Sequence, residues 1–131
     1  MDGSQSPLKS PNDIVLARQL VRRAAQQIGL SLVDQTKMVT AASELARNAL
    51  VHGHGGVMDL EVVENGGRRG LRLTFSDQGP GIPNVDLALT DGWTSGNGLG
   101  LGLSGARRLV NEFRIDSQVG RGTQVTVVRW K

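Results

Sequence analysis

The chain has 131 residues, 38% of them hydrophobic, a formal net charge of +3 and no cysteine, which sets the scale of about one ordinary domain and excludes a disulfide framework or a thiolate metal site. No apolar run approaches the roughly 20 residues that span a bilayer, and MDGSQSPLKS lacks the basic and apolar regions of a signal peptide, so the expected location is the cytoplasm with no membrane partner. The charge is dispersed, and aromatics are only 3% with no Tyr, which leaves neither an electrostatic footprint nor a stacking platform for nucleic acid.

Residues 1–10, interrupted by Pro7, read as a loose arm or a short edge strand ahead of a single domain over 11–131. From Asn12 to Ile28 the apolar positions Ala17, Leu20, Val21, Ala24 and Ile28 recur at helical spacing, and Gly29 ends that helix. A second helix is expected to start near Asp34, a good cap residue, to bury Met38, Ala42, Leu45 and Ala49, and to stop before His52-Gly53.

The period then changes. Val57 to Val63 reads as a strand, Asn65-Gly66-Gly67 as a turn, and Leu71, Leu73 and Phe75 alternate with polar residues on a second strand. Residues 79–98 form a long loop rich in Gly, Pro, Asn and Ser, before Leu103, Ala106, Val110 and Phe113 resume a helical stripe. Two more strands, Arg114 to Val119 and Gln124 to Trp130, flank the turn Gly120-Arg121-Gly122. The order predicts an α+β fold, a two-layer sandwich in which helices cover one face of a mixed, mostly antiparallel sheet.

Three places carry unusual polar content. Glu44 and Asn48, four apart on the second helix, share one face. Taken alone they fit solvated helix residues better; the functional reading gives a carboxamide oxygen for a hard cation beside a carboxylate that orients a hydroxyl. Asp77-Gln78-Gly79-Pro80-Gly81 closes a strand, either as a plain turn or as a carboxylate able to accept from the amino group of a flat base. Gly96-Asn97-Gly98-Leu99-Gly100-Leu101-Gly102 runs into a helix; a flexible linker would explain the glycines but not the interleaved Leu99 and Leu101, so a phosphate site at the helix's first amides is the favoured reading. No Gly-Lys-Ser/Thr marks a P-loop, no buried strand leads into the glycines as in a dinucleotide fold, and His52 and His54 read as capping or surface groups rather than zinc ligands.

Together with Gly120-Arg121-Gly122-Thr123, these motifs stand in an order that resembles the GHKL family of ATPases and kinases, whose Bergerat fold is an α/β sandwich. The resemblance implies ATP and magnesium as cofactors, with Asn48 holding magnesium and Asp77 hydrogen-bonding the adenine amino group. Gly79 and Gly81 would shape that pocket and Thr123 support it, while Gly96, Asn97, Gly98, Leu99, Gly100, Leu101 and Gly102 would surround the phosphates. Residues from about 82 to 97 correspond to the ATP lid, with Trp93 in place of an expected tyrosine.

Within that family Ser43 to Asn48 and Asp91 to Gly100 are similar to the small bacterial anti-sigma factors and to the stressosome serine/threonine kinases of the RsbT type. A histidine kinase would need a further phosphoacceptor region for which this length leaves no room. The implied reaction moves the ATP γ-phosphate to a STAS-domain antagonist or scaffold protein, with Glu44 as the catalytic residue and a serine phosphatase as the target activated on release. An anti-sigma factor that sequesters a sigma factor and phosphorylates its antagonist, and an ATP-gated binding module without transfer, are the alternative readings. A homodimer remains open.

Overall fold

The computed structural model describes residues 3–89 and 99–131, without the side chains of 99–101. Five strands, β1 (Gly3–Leu8), β2 (Gly56–Asn65), β3 (Arg68–Asp77), β4 (Glu112–Gln118) and β5 (Gly122–Trp130), form one sheet in the order β1-β2-β3-β5-β4. Every pairing in it is antiparallel, so the expected mixed component is absent among the described residues. The first residues are the edge strand rather than the loose arm, with Gly3 opposite Glu61 and Leu8 opposite Gly56.

Helices α1 (Pro11–Gln27) and α2 (Leu32–Val51) precede the β2–β3 hairpin, the short α3 (Val85–Ala88) follows β3, and α4 (Leu99–Arg108) precedes β4. Ser10 caps α1 by accepting from the Asp13 amide, while the Asp13 carboxylate returns to the Lys9 N–H at 2.9 Å. Helix α2 starts earlier than expected because Ser31 is its cap, accepting from the Asp34 N–H at 3.1 Å. Asp34 instead receives Arg129 at 2.8 Å, an ion pair that ties the start of α2 to β5.

Helix α4 ends at Arg108 and not near Phe113. Asn111 breaks the stripe: its N–H donates to the Val128 carbonyl and its side-chain oxygen accepts from the Trp130 N–H at 2.7 Å, which starts β4 one residue later. Phe113 then pairs with Val127 as a strand residue. The core lies between the helices and one sheet face, where Ala17 and Val21 of α1, Met38, Ala42 and Leu45 of α2 and Leu103 of α4 meet Met58, Leu71, Leu73, Phe75 and Val127. Among the described residues no helix is long and apolar enough to cross a membrane.

Candidate functional site

The last turns of α2, the end of β3 and the start of β5 surround a cavity of about 640 Å³. Its floor is apolar, built from Leu45, Ala49, Phe75, Ile82, Leu103 and Val125, and its polar lining includes Asn48, Asp77 and Thr123. An apolar cleft with a few convergent polar groups is the usual form of a small-molecule site.

Sheet register builds one rim. Asp77 is the last residue of β3 and lies opposite Thr123 of β5, which in turn lies opposite Ser117 of β4. The Asp77 Oδ1 accepts from the N–H groups of Gly79 at 3.0 Å and Thr123 at 3.2 Å, so one carboxylate oxygen fastens the strand end. The other oxygen, Oδ2, has no hydrogen-bond donor among the described residues. Burial holds the Asp77 carboxyl above its ordinary value, against the opposing pull of those two amides and of His54.

The turn after Asp77 is closely packed. Gly79 lies against the backbone of Gly53, and Gly81 adopts φ +79° with its α-carbon against the Gln118 carbonyl, where a side chain would be both strained and blocked. The Gly120 N–H donates to the Pro80 carbonyl at 2.9 Å and clamps this turn to the β4–β5 connection.

On the opposite wall, Asn48 sits one turn from the end of α2. Its backbone carbonyl accepts from both His52 and Gly53, which fold the chain back toward Asp77. Its side-chain Nδ2 is buried without a hydrogen-bond partner among the described residues, and a β-carbon on Gly102 of α4 would stand 3.0 Å from that atom. A buried carboxamide with an unengaged end is costly unless a ligand completes it. Half a turn about its terminal torsion exchanges nitrogen and oxygen, so the group fits an oxygen ligand for a hard cation beside phosphates.

Of the expected site residues, Asn48, Asp77, Gly81 and Thr123 line the one cavity, Gly79 supports its rim, and Gly102 abuts Asn48. Glu44 is half-buried one turn before Asn48 and does not line the cavity wall. Leu99, Gly100 and Leu101 open α4, and Gly96, Asn97 and Gly98, like Trp93, lie outside the described residues.

Sequence reasoning missed His52, Gly53 and His54 as cavity residues. His52 does cap α2, as expected, but it also faces the cavity, where burial and then the Arg47 charge lower its pKa. The spacing that could have found them is Asn48 followed after one helical turn by His52-Gly53, a helix end pointing at the same place as the helix side chain. The apolar lining from Ile82, Pro83 and Leu87 had no signal in the loop composition.

A sequence profile of the histidine kinase-, DNA gyrase B- and HSP90-like ATPases matches residues 33–131. The serine/threonine-protein kinase RsbT of Bacillus subtilis (strain 168) is 43% identical over 90% of this chain and 89% of its own. The anti-sigma F factor of Anoxybacillus flavithermus is 31% identical over 86% of this chain and 81% of its own. The crystal structure of the RsbU and RsbW domains of Rv1364c from Mycobacterium tuberculosis shares the fold over this whole chain and 33% of that one, with a TM-score of 0.69 at 23% identity. The chain therefore belongs to the histidine kinase-, DNA gyrase B- and HSP90-like ATPase family, among its bacterial serine/threonine-kinase and anti-sigma-factor members.

Proposed function

We propose that this ATP-dependent kinase transfers the γ-phosphate to a serine or threonine of a STAS-domain antagonist or scaffold protein, within a partner-switching stress pathway of the cytoplasm. The observation that carries the reading is the meeting of Asn48, Asp77 and Thr123 on one apolar cavity, with Gly102 against Asn48. The free Asp77 Oδ2 accepts from the adenine amino group, Gly79 and Gly81 let the rim pack against Gly53 and Gln118, and the phosphates run toward the α4 N-terminus. Residues from about 82 to 97 would correspond to the lid of a single domain that also takes in the edge strand Gly3–Leu8.

Asn48 would hold magnesium, whose charge would neutralise the phosphates when bound. Glu44, one turn earlier on the same helix, orients the acceptor hydroxyl and takes its proton. Catalysis is then mostly positioning and electrostatics, as phosphoryl transfer requires. Incubation with labelled ATP, magnesium and purified STAS-domain proteins tests this: label on the STAS protein supports transfer, and ATP binding without label leaves only an ATP-gated binding module.

The second reading is an anti-sigma factor that sequesters a sigma factor and phosphorylates its antagonist, favoured by the 30–31% identical anti-sigma F factors. Pull-down with a sigma factor against a serine phosphatase separates it from a switch kinase, and sedimentation would report a homodimer.

A further inference from the structure

One wall of the cavity follows the Gly79–Gly81 turn: Ile82, Pro83, Asn84 and Leu87 line it. Local contacts build this wall. Asn84 caps the four-residue α3 by accepting from the Leu87 N–H at 3.0 Å, and Ala88, 0% exposed, lies where α3 meets α4. A single helical turn is not stable by itself, so the place of the wall depends on what ties it to the rest of the fold.

Two side chains that do not line the cavity tie it, one at each end. At its start the Ile82 N–H donates to Ser117 Oγ of β4 at 2.8 Å. An amide can only donate, so this bond has one direction whether the Ser117 hydrogen points to Thr123 or to Gly122. At its end the exposed Arg107 of α4 donates from Nη2 to the Leu89 carbonyl at 3.3 Å. The wall is therefore held between a strand on one side and a helix on the other.

We infer that Ser117 and Arg107 are positioning residues for nucleotide binding, which act by holding residues 82–89 in place as a wall of the cavity. Apparent affinity falls with the fraction of molecules in the binding-competent arrangement, and removing either tie lowers that fraction. This rests on the proposed reading of the cavity as the ATP site.

The test measures amide hydrogen exchange and calorimetric ATP affinity with magnesium, on the full chain and on Ser117→Ala, Ser117→Thr, Arg107→Ala and Thr123→Val. Ser117→Ala and Arg107→Ala are each expected to speed exchange across 82–89 and to weaken ATP binding about fivefold, the worth of one hydrogen bond. Exchange in the middle of β3 should stay as in wild type, and Ser117→Thr, which keeps the hydroxyl, should restore both readouts. Thr123→Val removes the other hydroxyl but not the bond from Ile82, so it should leave exchange at 82 unchanged. If Ser117→Ala fails to fold, the surface variant Arg107→Ala carries the test. Unchanged exchange at 82–89, exchange raised equally in β3, or faster exchange with ATP affinity intact each overturns the inference. A wild type that does not bind ATP overturns the reading of the cavity, and the link from these two residues to nucleotide binding with it, while exchange at 82–89 still reports whether they hold the wall.

Discussion

Gly102→Ala separates the stability of this fold from its chemistry. Gly102 is inside α4, where alanine is favoured over glycine by about 1 kcal/mol. Its new β-carbon, however, would stand 3.0 Å from Asn48 Nδ2, 3.1 Å from Oδ1 and 3.4 Å from Cγ. The carboxamide must therefore yield by a few tenths of an ångström. A 1 Å misplacement in an active site costs on the order of 10²-fold, so a third of that costs about fivefold. The expected result is a thermal midpoint unchanged or raised by about 2–4 °C, with phosphotransfer at saturating ATP down about fivefold. Gly105→Ala is the control, since a β-carbon there meets nothing within 4 Å on the same helix: it should gain stability and keep activity. Full activity in Gly102→Ala, measured with label transfer across a magnesium titration, would refute the role of Asn48. A midpoint several degrees lower would instead show that the helix does not accept the change.

Glu44→Ala should lower phosphotransfer by about 10²–10⁴-fold while leaving ATP affinity within about twofold; normal transfer would dismiss Glu44 as the base. Asp77→Asn should weaken ATP at least about tenfold, because an amide can turn a donor toward the adenine amino group; unchanged calorimetric affinity would count against the adenine role. The same variant should not melt lower at pH 7. Burial raises the Asp77 pKa, so the native chain holds that proton more tightly than the unfolded chain, and the penalty is absent below the ordinary 3.8, grows as pH rises and is complete above the native pKa. Melting wild type and Asp77→Asn at pH 4 and pH 7 checks the sign, and a variant less stable at pH 7 than at pH 4 relative to wild type contradicts it. Leu73→Ala, at a position 0% exposed in the middle of β3, should cost about 2–5 kcal/mol in denaturant titration; a loss under about 1 kcal/mol would mean that the core closes over the gap.

The helices and strands were legible wherever one period ran unbroken, as in the stripe Met38, Ala42, Leu45, Ala49 and the alternation Leu71, Leu73, Phe75. Reading failed where a side chain outside the period sets the boundary. Ser31 displaced Asp34 as a cap because its hydroxyl reaches the N3 amide, and Asn111 ended the α4 stripe by exchanging hydrogen bonds with β5, a partner 19 residues away in sequence. Of the candidate site, Asp77 was legible as a carboxylate at a strand's end, whereas Asn48 and Thr123 came from the family motifs as a set, because neither residue alone departs from an ordinary helix or strand position. Ser117 was not legible: nothing in Ile115-Asp116-Ser117-Gln118 marks it until strand pairing places it opposite Thr123.

Strand pairing also ties the cavity rim to the core. In β5 the inward residues Val125 and Val127 fill the core, and alternation places Thr123 on the same face at the cavity's rim. A slip of one residue would turn the valines to solvent and at the same time replace the Thr123 hydroxyl with Gly122 or Gln124. The apolar burial that fixes register therefore also fixes which residue stands opposite Asp77. Asn48 is set by a different device, the end of α2, whose last carbonyls accept from His52, Gly53 and Gly55 and turn the chain toward the same aspartate. Two independent structural constraints, a strand register and a helix end, thus converge on Asp77. Substitutions that disturb either one should displace the Asp77–Thr123 rim and Asn48 separately.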